Sequence, residues 1–144
     1  MVILHTDILT LIQQTASLEY ANLRTRLRHA GVDPVFTTIV SFEEQSRGWL
    51  AVAAAAKTNE RLEWAYRQLR ELLSSYQKYA VLDFDMPAII EFDQQRERGV
   101  RIGTMDLRIA SIALTHDAVL VTRNLVDFLK VPGLRVEDWT KPAA

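Results

Sequence analysis

Short apolar runs alternate with longer stretches of helical periodicity along the chain. Val2-Ile3-Leu4 is a compact apolar run that ends at His5-Thr6-Asp7, the pattern of a buried strand running into a helix start. Asp7 is placed to cap a helix carrying Ile8, Leu11 and Ile12. A second helix is expected over about 17–30, with Leu18, Ala21, Leu23 and Leu27 on its apolar side; Gly31 ends it and Asp33-Pro34 turns the chain. Val35 to Val40 is rich in β-branched residues and reads as a second strand. Ser41-Phe42-Glu43-Glu44 then has the S-x-x-E form of a capping box, opening a helix that continues through Trp49, Leu50 and the Ala51–Ala56 stretch. A long helix over about 59–78 places Leu62, Ala65, Tyr66, Leu69, Leu72, Leu73 and Tyr76 at helical spacing, so that these two helices form a hairpin jointed near Lys57-Thr58-Asn59.

The second half repeats the alternation. Tyr79-Ala80-Val81-Leu82 is a third strand, and Pro87 lies in the first turn of a helix reaching about Arg98. Thr104 is placed to cap a helix with Met105, Ile109, Ile112 and Ala113 on its apolar stripe. Val119-Leu120-Val121-Thr122 is a fourth strand, a short helix follows near Leu125–Leu129, and Leu134-Arg135-Val136 is a fifth strand candidate. Strands alternating with helices predict an α/β fold around a mainly parallel sheet of four to five strands. The 144 residues are expected to form a single domain, 1–144. The apolar surface of the helical hairpin exceeds what one domain covers, which suggests a homodimer.

Composition narrows the function classes. The chain has no cysteine, which removes disulfides, thiolate nucleophiles and cysteine-based zinc sites. No apolar run approaches the ~20 residues of a membrane span, and the first residues lack the basic flank of a secretory signal, so a cytoplasmic protein without membrane attachment is expected. The 17 basic residues nearly balance the 18 acidic ones, which argues against a nonspecific nucleic-acid coat. That total hides position: Arg24, Arg26 and Arg28 share one helix, and Arg96, Arg98, Arg101 and Arg108 cluster further on. Either group could steer RNA phosphates, or form an ordinary solvated face.

In an open α/β sheet, ligands bind beyond the carboxyl ends of the strands. His5, Thr6 and Asp7 follow the first strand; Ser41, Glu43 and Glu44 follow the second; Thr122, Arg123, Asn124 and Asp127 follow the fourth. Gly103, Thr104 and Asp106 open the helix before it. Acids from distant positions thus converge on one edge, where oxygen donors suit Mg²⁺ or Mn²⁺ and repel one another unless a cation neutralises them. The sequence lacks a Walker A lysine motif, H-E-x-x-H and G-x-S-x-G. It also lacks the adjacent acidic pair after the first strand that a phosphoacceptor receiver would need.

Several ordered segments carry a resemblance. They are Ile102-Gly103-Thr104-Met105-Asp106-Leu107-Arg108-Ile109-Ala110, then Leu120-Val121-Thr122-Arg123-Asn124 with Asp127-Phe128, then Val131-Pro132-Gly133-Leu134-Arg135-Val136. Ser41 to Gly48 matches an acid-then-glycine helix. Together they resemble PIN-domain ribonucleases of the VapC type, the toxins of VapBC-type toxin–antitoxin pairs. The resemblance implies a three-layer α/β/α domain, Mg²⁺- or Mn²⁺-dependent cleavage of RNA, a small VapB-like antitoxin partner and commonly a toxin dimer. It maps Glu44 and Asp106 onto family acids, and the last polar position onto either Asn124 or Asp127.

The first position departs from the family pattern: Leu4-His5-Thr6-Asp7 puts His5 where the first catalytic aspartate belongs, with Asp7 two places later. His5 is therefore either a substituted metal ligand or the mark of a disabled site acting as an antitoxin- or RNA-binding module. On the first reading His5, Glu44, Asp106 and Asn124 hold the metal, Asp7, Glu44, Asp106 and Asp127 do the chemistry, and Thr6, Thr122 and Arg123 contact substrate. The plainer alternatives are a helix cap for Asp7, first-turn helix charges for Glu44 and Asp106, a turn or cap for Asn124 and a surface charge for Asp127.

Overall fold

The computed structural model describes residues 1–13, 17–32 and 34–142. Five short strands, β1 (Val2–Leu4), β2 (Phe36–Thr38), β3 (Ala80–Leu82), β4 (Val119–Val121) and β5 (Arg135–Glu137), form one sheet in the order β3-β2-β1-β4-β5. Every pairing is parallel. Among the described residues seven helices connect or flank them: α1 (Thr6–Ile12), α2 (Leu18–Ala30), α3 (Ile39–Ala55), α4 (Asn59–Tyr76), α5 (Met86–Glu97), α6 (Thr104–Thr115) and α7 (Leu125–Phe128). None of them, among the described residues, is long and apolar enough to cross a membrane.

The alternation of side chains along a strand builds two cores from three-residue strands. Ile3 and Leu120 face one side, where Leu107, Ile109, Ile112 and Phe128 from α6 and α7 cover them. Leu4 and Val121 face the other, against Ile8, Leu9 and Leu11 of α1, Leu23 of α2, and Leu72 and Tyr76 of α4. The sheet is buried on both faces, as a parallel sheet should be, and the expected α/β/α layering holds.

The helical hairpin lies where expected. Thr58 caps α4 by accepting from Arg61 N, and Trp49 meets Trp64 edge-on across the hairpin at 5.3 Å. Gly31 closes α2 in the left-handed region, at φ 63°, as the sequence suggested. Asp33 of the expected turn lies outside the described residues.

Three expected caps are corrected, each by a shift upstream. His5, not Asp7, is the N-cap of α1; Thr38, not Ser41, caps α3; and Gly103, not Thr104, precedes α6. Strand β2 is accordingly shorter than its β-branched run, because Ile39 and Val40 already have helical partners. Thr37 and Thr38 are fully buried, and Thr37 donates to the carbonyl of Leu4 on the neighbouring strand. Once Thr38 Oγ1 accepts from Ser41 N, the helix has its cap, and Ser41 and Glu44 are released for other contacts.

Candidate functional site

Parallel register aligns the carboxyl ends of the strands. Leu4 pairs with Val121, so the residues that follow, His5 and Thr122, emerge side by side at the centre of the edge. His5 N donates to Val121 O at 3.0 Å, and Thr122 N to Glu137 O at 3.0 Å, extending the ladder one step beyond the strands. Its side chain only 8% exposed, His5 stands edge-on to Phe128 at 5.0 Å.

Both ring nitrogens of His5 face carboxylates: Nδ1 lies 3.0 Å from Asp7 Oδ1 and Nε2 2.9 Å from Asp106 Oδ1. Burial disfavours an imidazolium here, yet the two carboxylates outweigh it and push the histidine up to about 9. Burial likewise opposes ionisation of Asp7, but contact with His5 and hydrogen bonds from Arg123 N and Thr122 hold its carboxyl below the usual aspartate value. Those bonds are 2.9 Å from Arg123 N and 3.0 Å from Thr122 Oγ1, both to Asp7 Oδ2. Thr122 is fully buried and also accepts from Asn124 N, so its hydroxyl ties Asp7 to the following turn.

Glu44 reaches the same place from α3. Thr6 Oγ1 donates to Glu44 Oε1 at 2.8 Å and lies 3.0 Å from Ser41 Oγ, which itself stands 3.3 Å from Thr38 Oγ1. This row of hydroxyls anchors the carboxylate to the ends of β1 and β2. Burial, with the nearby charges of Asp106 and Glu43, raises the Glu44 carboxyl above its ordinary value, against the Thr6 bond and the charge of His5. Ligand atoms of His5, Glu44 and Asp106 all lie within 4.8 Å of one another. One nitrogen and two carboxylate oxygens, drawn from three elements, form a donor set that fits a divalent cation accepting a nitrogen ligand, as Mn²⁺ does more readily than Mg²⁺.

The side chains of the remaining expected residues are engaged in other contacts. Asp127 is outside the His5–Glu44–Asp106 group: its Oδ2 accepts from Asn124 Nδ2 at 3.0 Å, its N–H donates to Asn124 Oδ1 at 3.4 Å, and Lys130 lies at 3.5 Å. The Asn124 bond, with Lys130, holds its carboxyl below the usual value. Asn124 is thereby the cap of α7. Arg123, expected to hold substrate, turns its guanidinium to Glu19 of α2 at 2.8 Å. Glu43 pairs with Arg47 along the exposed side of α3. Sequence reasoning missed Thr38 and Phe128 as supports of the site. A hydroxyl residue at the very end of a strand was the available signal for Thr38; Phe128 carried none beyond being apolar.

No family model matches the chain. Among curated proteins it is 41% identical over 63 residues to the tRNA(fMet)-specific endonuclease VapC of Salmonella typhimurium, a match covering 41% of this chain and 48% of that one. Against the tRNA(fMet)-specific endonuclease VapC of Shigella flexneri it is 32% identical over 85 residues, 56% of this chain and 64% of that one. The matches thus span about half to two thirds of these relatives. Among solved structures, a chain of the DNA-bound VapBC from Salmonella typhimurium superposes with a TM-score of 0.71 at 25% identity, over 96% of this chain and 97% of its own. Fold along nearly the whole chain and sequence over the matched segments agree: the chain is similar to VapC-type PIN-domain toxins.

Proposed function

We propose that residues 1–144 work as one PIN-like domain, a toxin-type endoribonuclease that hydrolyses RNA phosphodiester bonds at the carboxyl edge of the sheet. The observation that carries this reading is the convergence of His5, Glu44 and Asp106 within 4.8 Å, in a fold shared with VapC ribonucleases. His5, Glu44 and Asp106 would hold a divalent cation, Mn²⁺ in preference to Mg²⁺. Such an ion supplies positive charge that activates water and stabilises developing charge on phosphoryl oxygens. The chain's own residues do the positioning: Thr6 and Ser41 orient Glu44, while Asp7, fixed by Thr122 and Arg123 N, orients the His5 ring.

The partners follow the same reading. RNA is the substrate, and a small VapB-like antitoxin is the protein partner, in line with the VapBC assembly of the neighbouring structure. An apolar groove of about 340 Å³ between α3, α4 and β3, lined by Ile39, Phe42, Leu73, Tyr76 and Val81, supports a protein-binding face. Exposed Leu62 and Tyr66 on α4 support a homodimer, and the absence of cysteine suits the cytoplasm.

One observation favours a second reading. His5 already offers both ring nitrogens to Asp7 and Asp106, so a protonated ring offsets part of their negative charge without a metal. On that reading the chain is a catalytically disabled module that binds the antitoxin or RNA. Incubating purified chain with structured RNA and Mn²⁺, beside a His5→Asp variant, separates the two. Cleavage by the unaltered chain that EDTA abolishes supports the nuclease. Cleavage by the variant alone, with no heat of Mn²⁺ binding to the unaltered chain, supports the disabled module.

A further inference from the structure

The arginines differ in what holds their guanidinium groups. Arg26 pairs with Glu137 and stacks on Trp139; Arg47, Arg67, Arg123 and Arg135 each pair with a carboxylate. Half-buried Arg96 is spent on the backbone, donating to the carbonyls of Val100 at 3.0 Å and Ile102 at 3.1 Å, and so braces the turn ahead of α6. Arg108 is also half-buried, but among the described residues no oxygen acceptor engages its donors. Its guanidinium carbon stands 5.6 Å from the centre of the Phe84 ring and 5.9 Å from that of Phe92. Its one hydrogen bond among the described residues goes to the sulfur of Met105, at 3.8 Å. The aromatic faces hold the group in place while leaving a five-donor fork without an oxygen acceptor.

Position gives this fork a use. Phe84 follows the end of β3, so Arg108 is held at the same carboxyl edge as the His5–Glu44–Asp106 group. Arg108 is two residues beyond Asp106 on α6, roughly 200° round the helix axis at ~100° per residue. Asp106 therefore turns toward His5, while Arg108 turns toward the β3 side of the edge. Asp83 and Asp85 are exposed on either side of Phe84, and neither forms an ion pair with Arg108.

We propose that Arg108 is a substrate-positioning residue that takes, through its guanidinium fork, a backbone phosphate flanking the scissile one. This rests on the RNA reading above and replaces Arg123, whose side chain is committed to Glu19. Arginine suits the task because its planar fork matches two phosphate oxygens at once.

The test is anisotropy of a fluorescein-labelled 2′-O-methyl RNA 12-mer, which resists cleavage, titrated with the full chain from low to moderate salt. Arg108→Met keeps an unbranched stem against Phe84 and Phe92 and should leave Tm within a few degrees. It should weaken binding about 5- to 10-fold and lower the slope of log affinity against log salt by ~0.7, one phosphate contact on a single strand. Arg108→Lys should retain most of the affinity, and Arg108→Gln gives the same comparison if the Met variant folds poorly. Unchanged affinity and slope in the folded neutral variants would overturn the role of Arg108 while leaving the RNA reading intact. Failure of the unaltered chain to bind the RNA at any salt would overturn both.

Discussion

Asp106 and Asp127 occupy the same place in two helices: each is the third residue, of α6 and of α7. Their fates diverge because their caps differ. The cap before α7 is Asn124, whose amide accepts from Asp127 N and donates back to its carboxylate, closing a small ring of bonds on the surface. The cap before α6 is Gly103, which has no side chain to offer. The Asp106 carboxylate therefore stays available, and His5 arrives from β1 to meet it at 2.9 Å. An acid in a first helical turn is thus a site residue or a capping partner according to what its neighbours leave unsatisfied, not according to its position alone.

The largest expected effect tests what α7 contributes in place of a ligand. Phe128 is fully buried, packs in the core and meets the His5 ring edge-on. Phe128→Ala should cost about 3–5 kcal/mol of stability by denaturant unfolding; a cost below about 1 kcal/mol would show that α7 is not a packing element.

Next comes pH. The folded His5 titrates near 9 against an ordinary value of 6.5, so its two carboxylate contacts contribute stability that is fully present below pH 6.5 and is lost as pH rises through about 9. The loss amounts to about 3 kcal/mol. Relative to a His5→Asn variant, the unaltered chain should lose its advantage across that window; a stability difference independent of pH would sink the assignment.

Metal binding puts the two aspartates side by side. Asp106→Asn should lower Mn²⁺ affinity at least about tenfold by calorimetry, whereas Asp127→Asn should leave it within about twofold. Equal losses would erase the distinction between the two turns. The smallest effect comes from making one turn like the other. Gly103 has φ −53° and open surroundings, the nearest atom to an added Cβ being Asp106 Oδ2 at 4.0 Å. Gly103→Asn should stabilise α6 by only a few tenths of a kcal/mol, yet weaken Mn²⁺ binding by drawing Asp106 toward the new cap.

The sheet, the helical hairpin and the order of the motifs were legible in the sequence, because strand and helix periodicities are local. The caps were less so. At His5-Thr6-Asp7, Thr37-Thr38…Ser41 and Gly103-Thr104, several polar residues in a row could each begin a helix. After β1 and at the end of β2 the residue that keeps extended backbone takes the cap, and ahead of α6 Gly103 does so, which leaves the polar residues that follow for other contacts. Glu44 and Asp106 were legible as members of one edge, since strand polarity alone brings them there. Arg123 and Asp127 were not separable by sequence from the residues that converge with His5, because Glu19 and Asn124 engage them only in three dimensions.

By itself, then, the sequence determined the alternation that makes a parallel α/β sheet, the gathering of acids at its carboxyl edge, and a histidine rather than an acid directly after the first strand. Only the tertiary structure decided that both nitrogens of His5 meet carboxylates, that Thr122 serves Asp7, and that Arg108 rather than Arg123 is left with open donors. The physical reason is range. Periodicity and turn chemistry act within a few residues, whereas the charge and hydrogen bonding of a site depend on which distant groups packing brings within about 3 Å, and which of those are already satisfied.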